Sequence, residues 1–445
     1  MATQAFRVIA EVPVRPGWMP AIYEHGWQSW SPAGWYDADL VRSPRPRRPE
    51  WQVMAFRPDR PGPHEGFQSE GLLAIADAPD SVRAWVADDP TGSIPSIRVE
   101  RVGQRLVVKA DGAVRERPPA SSPDQALADL GSHLAATIGP SRPARSVGPG
   151  WCSWYGYGPD VTDPVVDANL AVIEAQDLDA RVIQIDDGHQ AEIGDWLSPS
   201  GRIRSMAALA ARITGGGREA GVWTAPFMVG TRSDLARRHP DWLVGDAVAA
   251  PDHWGQEVRV LDVTHPDAAD HLVGVFRTLR TWGYTFHKID FLYAGAMPGR
   301  RYADVDPIGA YREGLRLIRM AVGDDAILLG CGAPLLASIG LVDAMRISPD
   351  TDRRMEPPDG DISQPSMRAA MTAGRARAWM HGRLWVNDPD CLIADPRSDD
   401  REAWASHLRS SPGLAMTGDR LPDLDVHGLD LTRAFLGSLE RGRIA

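Results

Sequence analysis

From Gly150 onward the chain repeats one change of texture eight times, and this alternation restricts the fold more than any other feature. A short run of β-formers is followed each time by a longer helical stretch. The β-runs are "GWCSWYGY", "RVIQIDDG", "AGVWTAPFM", "TFHKIDFL", "AILLGCGA", "AMRISPD", "LWVNDPD" and "GLAMTGD". Strands that alternate with helices pair in parallel, and eight such units are what a (β/α)8 TIM barrel needs. The helix expected between the fourth and fifth runs shows the local signals. Asp306 stands at the N-cap and Pro307 at the first helical position, with Ile308, Tyr311, Leu315, Ile318 and Val322 along one stripe and Gly323 as the stop. An open doubly wound sheet is the alternative, but no Gly-rich phosphate turn follows any of these strands.

The first part of the chain reads differently. "GLLAIADA", "VRAWVADD", "SIRVERV" and "RLVVKADGAVRE" are strand-like runs separated by turn residues, followed by a helix over Pro123–Ile138 and a Pro- and Gly-rich linker ending near Gly150. The expected organisation is a β-rich, sandwich-like N-terminal domain with its linker helix at 1–140 and an α/β barrel at 148–445. The closing stretch "DLTRAFLGSLERGRIA" reads as the last helix, so no C-terminal β domain is expected.

Composition narrows the partners. A net charge of −11 leaves no basic footprint for nucleic acid, and Arg-rich "RSPRPRRPE" is broken by prolines like a solvated loop. There is no signal-peptide pattern at the start and no run of about 18 apolar residues, so a cytoplasmic protein without membrane contact is expected. The three cysteines, Cys152, Cys331 and Cys391, are too scattered for a disulfide framework. The 16 Trp outnumber the 8 Phe and 8 Tyr. Tryptophan offers a flat apolar face with one N–H donor, which suits sugar rings as well as cores.

In a barrel the active site lies at the C-terminal ends of the strands. Those ends carry Trp151, Trp154 and Tyr155, then Asp186 and Asp187, then Trp223, then Lys288 and Asp290, then Cys331, then Arg346 and Asp350, then Asn387, Asp388 and Asp390. A carboxylate at a strand end, such as Asp388 or Asp390 taken alone, reads as the N-cap of the next helix. Together they do not, because ionised groups are costly to bury without partners. Lys288 is conspicuous: it and Lys109 are the only lysines among 48 Lys and Arg residues. It shares a strand face with Asp290, two residues on, while Ile289 points to the helices. A compact ammonium there points to a pocket too narrow for guanidinium. Two carboxylates from strands four and six, Asp290 and Asp350, then suit glycosidic bond cleavage by a nucleophile and an acid/base. A cluster of acids with His189 in "DDGHQ" also allows a metal site, but no third convincing ligand stands nearby.

The ordered motifs "WCSWYGYG", "QIDDG" with "GDW", "GVWTAPF", "HPDW", "KIDFLYAGAMPG", "LLGCGAPLL", "MRISPDTD" and "NDPDCL", preceded by "HGWQSW", resemble those of the family 36 glycoside hydrolases, the bacterial α-galactosidases or melibiases. The resemblance runs from about residue 25 to 420. It implies a retaining, exo-acting enzyme with Asp290 as nucleophile and Asp350 as general acid/base. It implies that Asp186 and Asp187 grip the 4- and 6-hydroxyls of galactose, that Lys288 and Arg346 bond ring hydroxyls, and that Trp154, Tyr155 and Trp223 form the wall. Trp30 is expected to reach in from the N-terminal domain, and Cys331 to border the 2-hydroxyl. The implied partner is a small oligosaccharide, with no cofactor, and family members are often homo-oligomers. A transglycosylase, a hydrolase of another α-linked sugar, a Schiff-base lyase using Lys288 and a non-catalytic sugar-binding protein are the competing readings.

Overall fold

The computed structural model describes residues 5–39, 52–138 and 146–437. The expected loop "RSPRPRRPE", most of the linker before 146 and the last residues of the expected closing helix lie outside them.

The N-terminal region is built from two antiparallel sheets. One runs in the order Arg7–Pro13, Arg105–Ala110, Ser96–Val102, Phe67–Glu70; the other runs Ala33–Asp37, Ala21–His25, Leu72–Ala78, Ser81–Ala87, Val114–Glu116. Alternate residues of Leu72–Ala78 explain its unbroken apolar sequence. Leu73 and Ile75 join Val12, Phe67, Ile97 and Val108 in a core between the sheets, whereas Leu72, Ala74 and Ala76 join the large core shared with the rest of the molecule. Successive side chains of a strand point to opposite faces, so a strand covered on both sides is apolar throughout. Four of these strands, Arg7–Pro13, Ala21–His25, Ala33–Asp37 and Phe67–Glu70, were not expected. Phe67–Glu70 is buried although three of its four residues are polar. Glu24 accepts the Gln68 N–H at 3.0 Å, and Ser96 Oγ donates to Glu70 at 2.8 Å, so tertiary partners replace the apolar signal.

The second region holds eight parallel strands: Gly150–Cys152, Val182–Ile185, Glu219–Thr224, Tyr284–Ile289, Ile327–Gly330, Ala344–Arg346, Val386–Asp388 and Met416–Thr417. Six fall inside β-runs read from sequence, and Glu219–Thr224 and Tyr284–Ile289 each begin one residue before theirs. The strands pair in chain order, with the eighth returning to the first, as in a TIM-barrel-like sheet. At the remaining seam the Leu414 N–H donates to the Asn387 carbonyl at 2.8 Å. Helix Pro307–Val322 begins and ends where its signals put it: Asp306 accepts from the N–H groups of Ile308 and Gly309, and Gly323 takes φ +81°.

Between the third and fourth barrel strands lies an unexpected antiparallel sheet of Met228–Gly230, Leu243–His253 and Gln256–Leu261. Its hairpin turns on Trp254 and Gly255, at φ +53° and +65°. Two consecutive positive φ values mark a tight two-residue turn whose twist matches the flanking strands.

The N-terminal region is keyed to the barrel by Arg377, which is fully buried. Its guanidinium donates to the carbonyls of Ser29 (2.6 Å), Ser31 (2.8 Å), Gln28 (3.2 Å) and Ile347 (2.9 Å). Three of those acceptors belong to the segment that carries Trp30.

Candidate active site

One cavity of about 600 Å³ opens at the C-terminal ends of the barrel strands. Its lining includes Trp30, Trp154, Asp186, Asp187, Trp223, Lys288, Asp290 and Asp350, eight of the residues singled out from the sequence. Trp30 comes from the N-terminal region, as expected; its ring meets Phe291 edge-on at 4.9 Å and lies against Gly332, whose φ of +52° and missing side chain leave room for it.

Lys288 stands between carboxylates. Its Nζ lies 2.9 Å from Asp186 and 3.8 Å from Asp290, and all three are buried. Burial works against its charge, but Asp186 and Asp290 together hold the ammonium well above the usual lysine range. A lysine kept charged is not a free amine. Asp290 accepts from Trp223 Nε1 at 3.1 Å and from the Phe291 N–H at 2.7 Å as well. Phe291 reaches that geometry with φ +50°, a conformation that costs a bulky residue energy and is frequent at functional sites. Every polar partner of Asp290 named here is a donor.

Asp186 also accepts from Gln184 Nε2 (2.6 Å), and Asp187 from Gln190 Nε2 (2.6 Å) and Trp254 Nε1 (2.7 Å). Burial raises the Asp187 pKa, and those two donors oppose the rise.

The opposite wall is organised by Arg346. Its guanidinium reaches Asp350 at 2.8 Å, Asp390 at 2.9 Å and Asp388 at 3.0 Å. Tyr155 donates its hydroxyl to Asp390, which also accepts the N–H of Thr351 at 2.8 Å. Burial pushes the Asp350 pKa up to about 7, with Arg346 pulling it down and Asp390 and Asp290 pushing it up. Its carboxyl side chain remains about a third exposed toward the cavity, at 32%.

Three expected cavity residues are placed elsewhere. Arg346 is sunk beneath the wall with its guanidinium engaged by carboxylates, so it supports Asp350 and does not line the cavity. Tyr155 stands behind it, on Asp390. Cys331 is fully buried; its N–H donates to the Ile289 carbonyl at 2.9 Å, so it braces the exit of the fourth strand. His189, considered as a metal ligand, sits under Trp223 with Nε2 2.9 Å from that residue's carbonyl oxygen. No group of three or more His, Cys, Asp or Glu among the described residues is arranged to hold a metal ion. No helix among them is long and apolar enough to cross a membrane.

Sequence reasoning missed the cavity residues Asp252, His253, Trp254 and Tyr293, and the supporting role of Asp388 and Asp390. Gly255 was a local turn residue, but Trp254 before it gave no turn signal.

A family model described as melibiase matches residues 168–291. Among curated sequences, α-galactosidase AgaA of Geobacillus stearothermophilus is 29% identical over 107 residues, 22% of this chain and 14% of that enzyme. An α-galactosidase of Escherichia coli is 28% identical over 145 residues, 29% of this chain and 20% of that enzyme. The matched stretches are thus a minor part of those longer relatives. Among solved structures, the α-galactosidase TtGalA of Thermus thermophilus, in complex with stachyose, superposes with a TM-score of 0.80 at 28% identity, over 96% of this chain and 92% of that one. The family 36 enzyme AgaA of Geobacillus stearothermophilus shares the fold at a TM-score of 0.63 and 15% identity, over 96% of this chain and 61% of that one. Strand order, cavity and matched sequences therefore agree, and the chain is similar to α-galactosidases both in its matched stretches and in its fold.

Proposed function

We propose that the protein is a retaining, exo-acting α-galactosidase that removes terminal α-D-galactosyl residues from small oligosaccharides through a covalent glycosyl-aspartate intermediate. The observation that carries this reading is the asymmetry of the two carboxyls lining one cavity. Asp290 is surrounded by donors, while Asp350 keeps its proton up to about pH 7. The first suits an anionic nucleophile and the second a general acid.

The chemistry follows from those positions. Asp290 attacks the anomeric carbon as Asp350 gives its proton to the departing oxygen, so one C–O bond forms while the glycosidic C–O bond breaks. Asp350, now ionised, takes a proton from water, whose oxygen displaces Asp290 and releases the sugar. Lys288 holds positive charge beside the reacting carboxylate throughout. Asp186 and Asp187 present acceptors to sugar hydroxyls, and Trp30, Trp154 and Trp223 supply apolar faces. The sheet acts as a closed (β/α)8 barrel, its seam joined through Leu414 and Asn387. Substrate complexes of the Thermus enzyme with stachyose and with p-nitrophenyl α-D-galactopyranoside support the substrate class. A Schiff-base lyase fits the cavity less well, because such a lysine must lose its proton and Lys288 is held charged.

The decisive experiment compares release of p-nitrophenol from the α-galactoside, the α-glucoside and the β-galactoside. Turnover of the α-galactoside alone is expected. Asp290→Ala should abolish it, and azide should restore part of it as a glycosyl azide of inverted configuration. Folded wild-type protein that turns over none of the three would remove the hydrolase assignment.

A further inference from the structure

The hairpin that the sequence did not reveal brings a tryptophan to the carboxylate pair, and its construction is elaborate for a loop. Trp254 sits at φ +53°, in a left-handed conformation that glycine adopts freely and tryptophan does not. The turn is tied down from behind by Arg232. That side chain donates to the carbonyls of Trp254 (3.2 Å) and Gly255 (3.1 Å), and its Nε reaches Glu192 at 3.1 Å. Gln256, the first residue after the turn, donates to the same Glu192 at 2.9 Å. Strain of this kind persists only where surrounding contacts over-determine it, and it concentrates at ligand-binding positions.

What the strain achieves is visible on the cavity side. Trp254 lines the cavity, its ring packed edge-on at 5.1 Å from Phe291 and 6.4 Å from Trp223, and its Nε1 donates to Asp187 Oδ2 at 2.7 Å. Gln190 takes the other oxygen, Oδ1, at 2.6 Å. Each carboxylate oxygen accepts along two lone pairs. One direction on each oxygen is therefore occupied by the protein, and one on each is left for a ligand. Asp187 is a fork with a fixed aim.

We propose that Trp254 is a specificity-determining residue that acts through Asp187, holding its carboxylate in the one orientation that accepts from sugar hydroxyls. This rests on the sugar-binding part of the function proposed above, and not on its bond-breaking step. Losing the indole N–H frees Asp187 to rotate, so discrimination among sugars by the hydroxyl that Asp187 accepts should weaken. The binding contributed by every other contact should stay.

The test measures binding rather than turnover. Wild type, Trp254→Phe and Asp187→Asn are titrated calorimetrically with galactose, 4-deoxygalactose and 6-deoxygalactose. Phenylalanine keeps an aromatic ring, though a smaller one, in the wall and removes the donor. Galactose affinity should fall roughly tenfold in Trp254→Phe, the scale of a hydrogen bond to a charged group. One of the two deoxy sugars should bind wild type and Trp254→Phe alike, and a variant combining Trp254→Phe with Asp187→Asn should bind galactose no more weakly than Asp187→Asn alone. An equal fall for all three sugars would make Trp254 a wall and overturn the proposal, as would unchanged galactose affinity. Should Trp254→Phe fail to fold, Gln190→Leu, which frees the other oxygen of the same fork, must show the same loss of discrimination or the proposal falls. Wild type that binds galactose but hydrolyses no galactoside would sink the hydrolase reading and leave this inference standing.

Discussion

The two walls of the cavity use the same residue types to opposite ends. On one, the single cation Lys288 contacts two carboxylates, and Asp290 receives two further donors, the Trp223 indole and the Phe291 amide. On the other, the single cation Arg346 is divided among Asp350, Asp388 and Asp390, and Asp350 receives no other side-chain donor among the described contacts. Three acids sharing one guanidinium in a buried place cannot all be balanced, and the proton stays where the balance is poorest. Donor count thus separates two aspartates whose immediate sequences do not.

Exchanging the acids one at a time breaks the comparison most severely. Asp290→Asn should lower kcat by roughly ten-thousand-fold or more on any α-galactoside, since it removes the proposed nucleophile. Asp350→Asn should lower it by roughly a hundredfold to ten-thousandfold on an oligosaccharide, but far less on the nitrophenyl galactoside, whose leaving group needs little protonation. Steady-state kinetics on both substrates decide this; equal losses on the two would mean that Asp350 is not the acid.

Lys288→Met comes next, with an expected fall of about a hundredfold in kcat from the loss of preorganised charge beside Asp290. Lys288→Arg should be no better, because a planar fork does not fit between Asp186 and Asp290. Full activity in the arginine variant would show that the site needs any cation rather than a compact one.

Tyr155→Phe tests the wall that shares Arg346. With the carboxyl of Asp350 near 7, kcat/KM should fall as pH rises through about 7, because the proposed general acid enters the cycle protonated. The phenol donates to Asp390 and favours its ionised form. Without it Asp390 retains its proton more readily, less negative charge faces Asp350, and the basic limb should move to lower pH by less than about one unit. A shift to higher pH would reverse the assignment.

The smallest effect concerns a carboxyl outside the cavity. Burial also pushes Asp419 up to about 7, although it serves as an acceptor for the N–H groups of Ala394 and Asp395. The unfolded chain ionises there at about 4, so the folded state holds a proton that the unfolded state has lost, and this group subtracts stability as pH climbs between those values. The Tm of Asp419→Asn relative to wild type should therefore rise from pH 5 to pH 8. A raised carboxyl alone does not mark an active site, and a Tm difference that is flat with pH would remove Asp419 as the control.

How far the sequence could be read depended on how local each signal was. Eight β-runs, each bounded by its own turn residues, located all eight barrel strands, and Asp306 and Gly323 set the ends of a helix through backbone capping within a few residues. The acidic face was legible too, since Lys288 and Asp290 share a face by strand periodicity alone. The Leu243–His253 and Gln256–Leu261 hairpin was not, because Ala and Pro dilute its β-pattern and its turn depends on a tryptophan in a glycine-like conformation.

What the chain determined by itself was the order of the eight barrel strands and the set of polar residues delivered to one end of the barrel, because periodicity and capping act over a few residues. Only the tertiary structure decided which of those residues face the cavity. Arg346 and Cys331 lie at strand ends like Lys288 and Asp290, yet they are buried outside the cavity lining, and Tyr155 is half-buried behind it, while Trp30 and Trp254 arrive from distant segments held by Arg377 and Arg232. The reason is physical: a buried charge settles where its partners are, and those partners come from elements far apart in the chain.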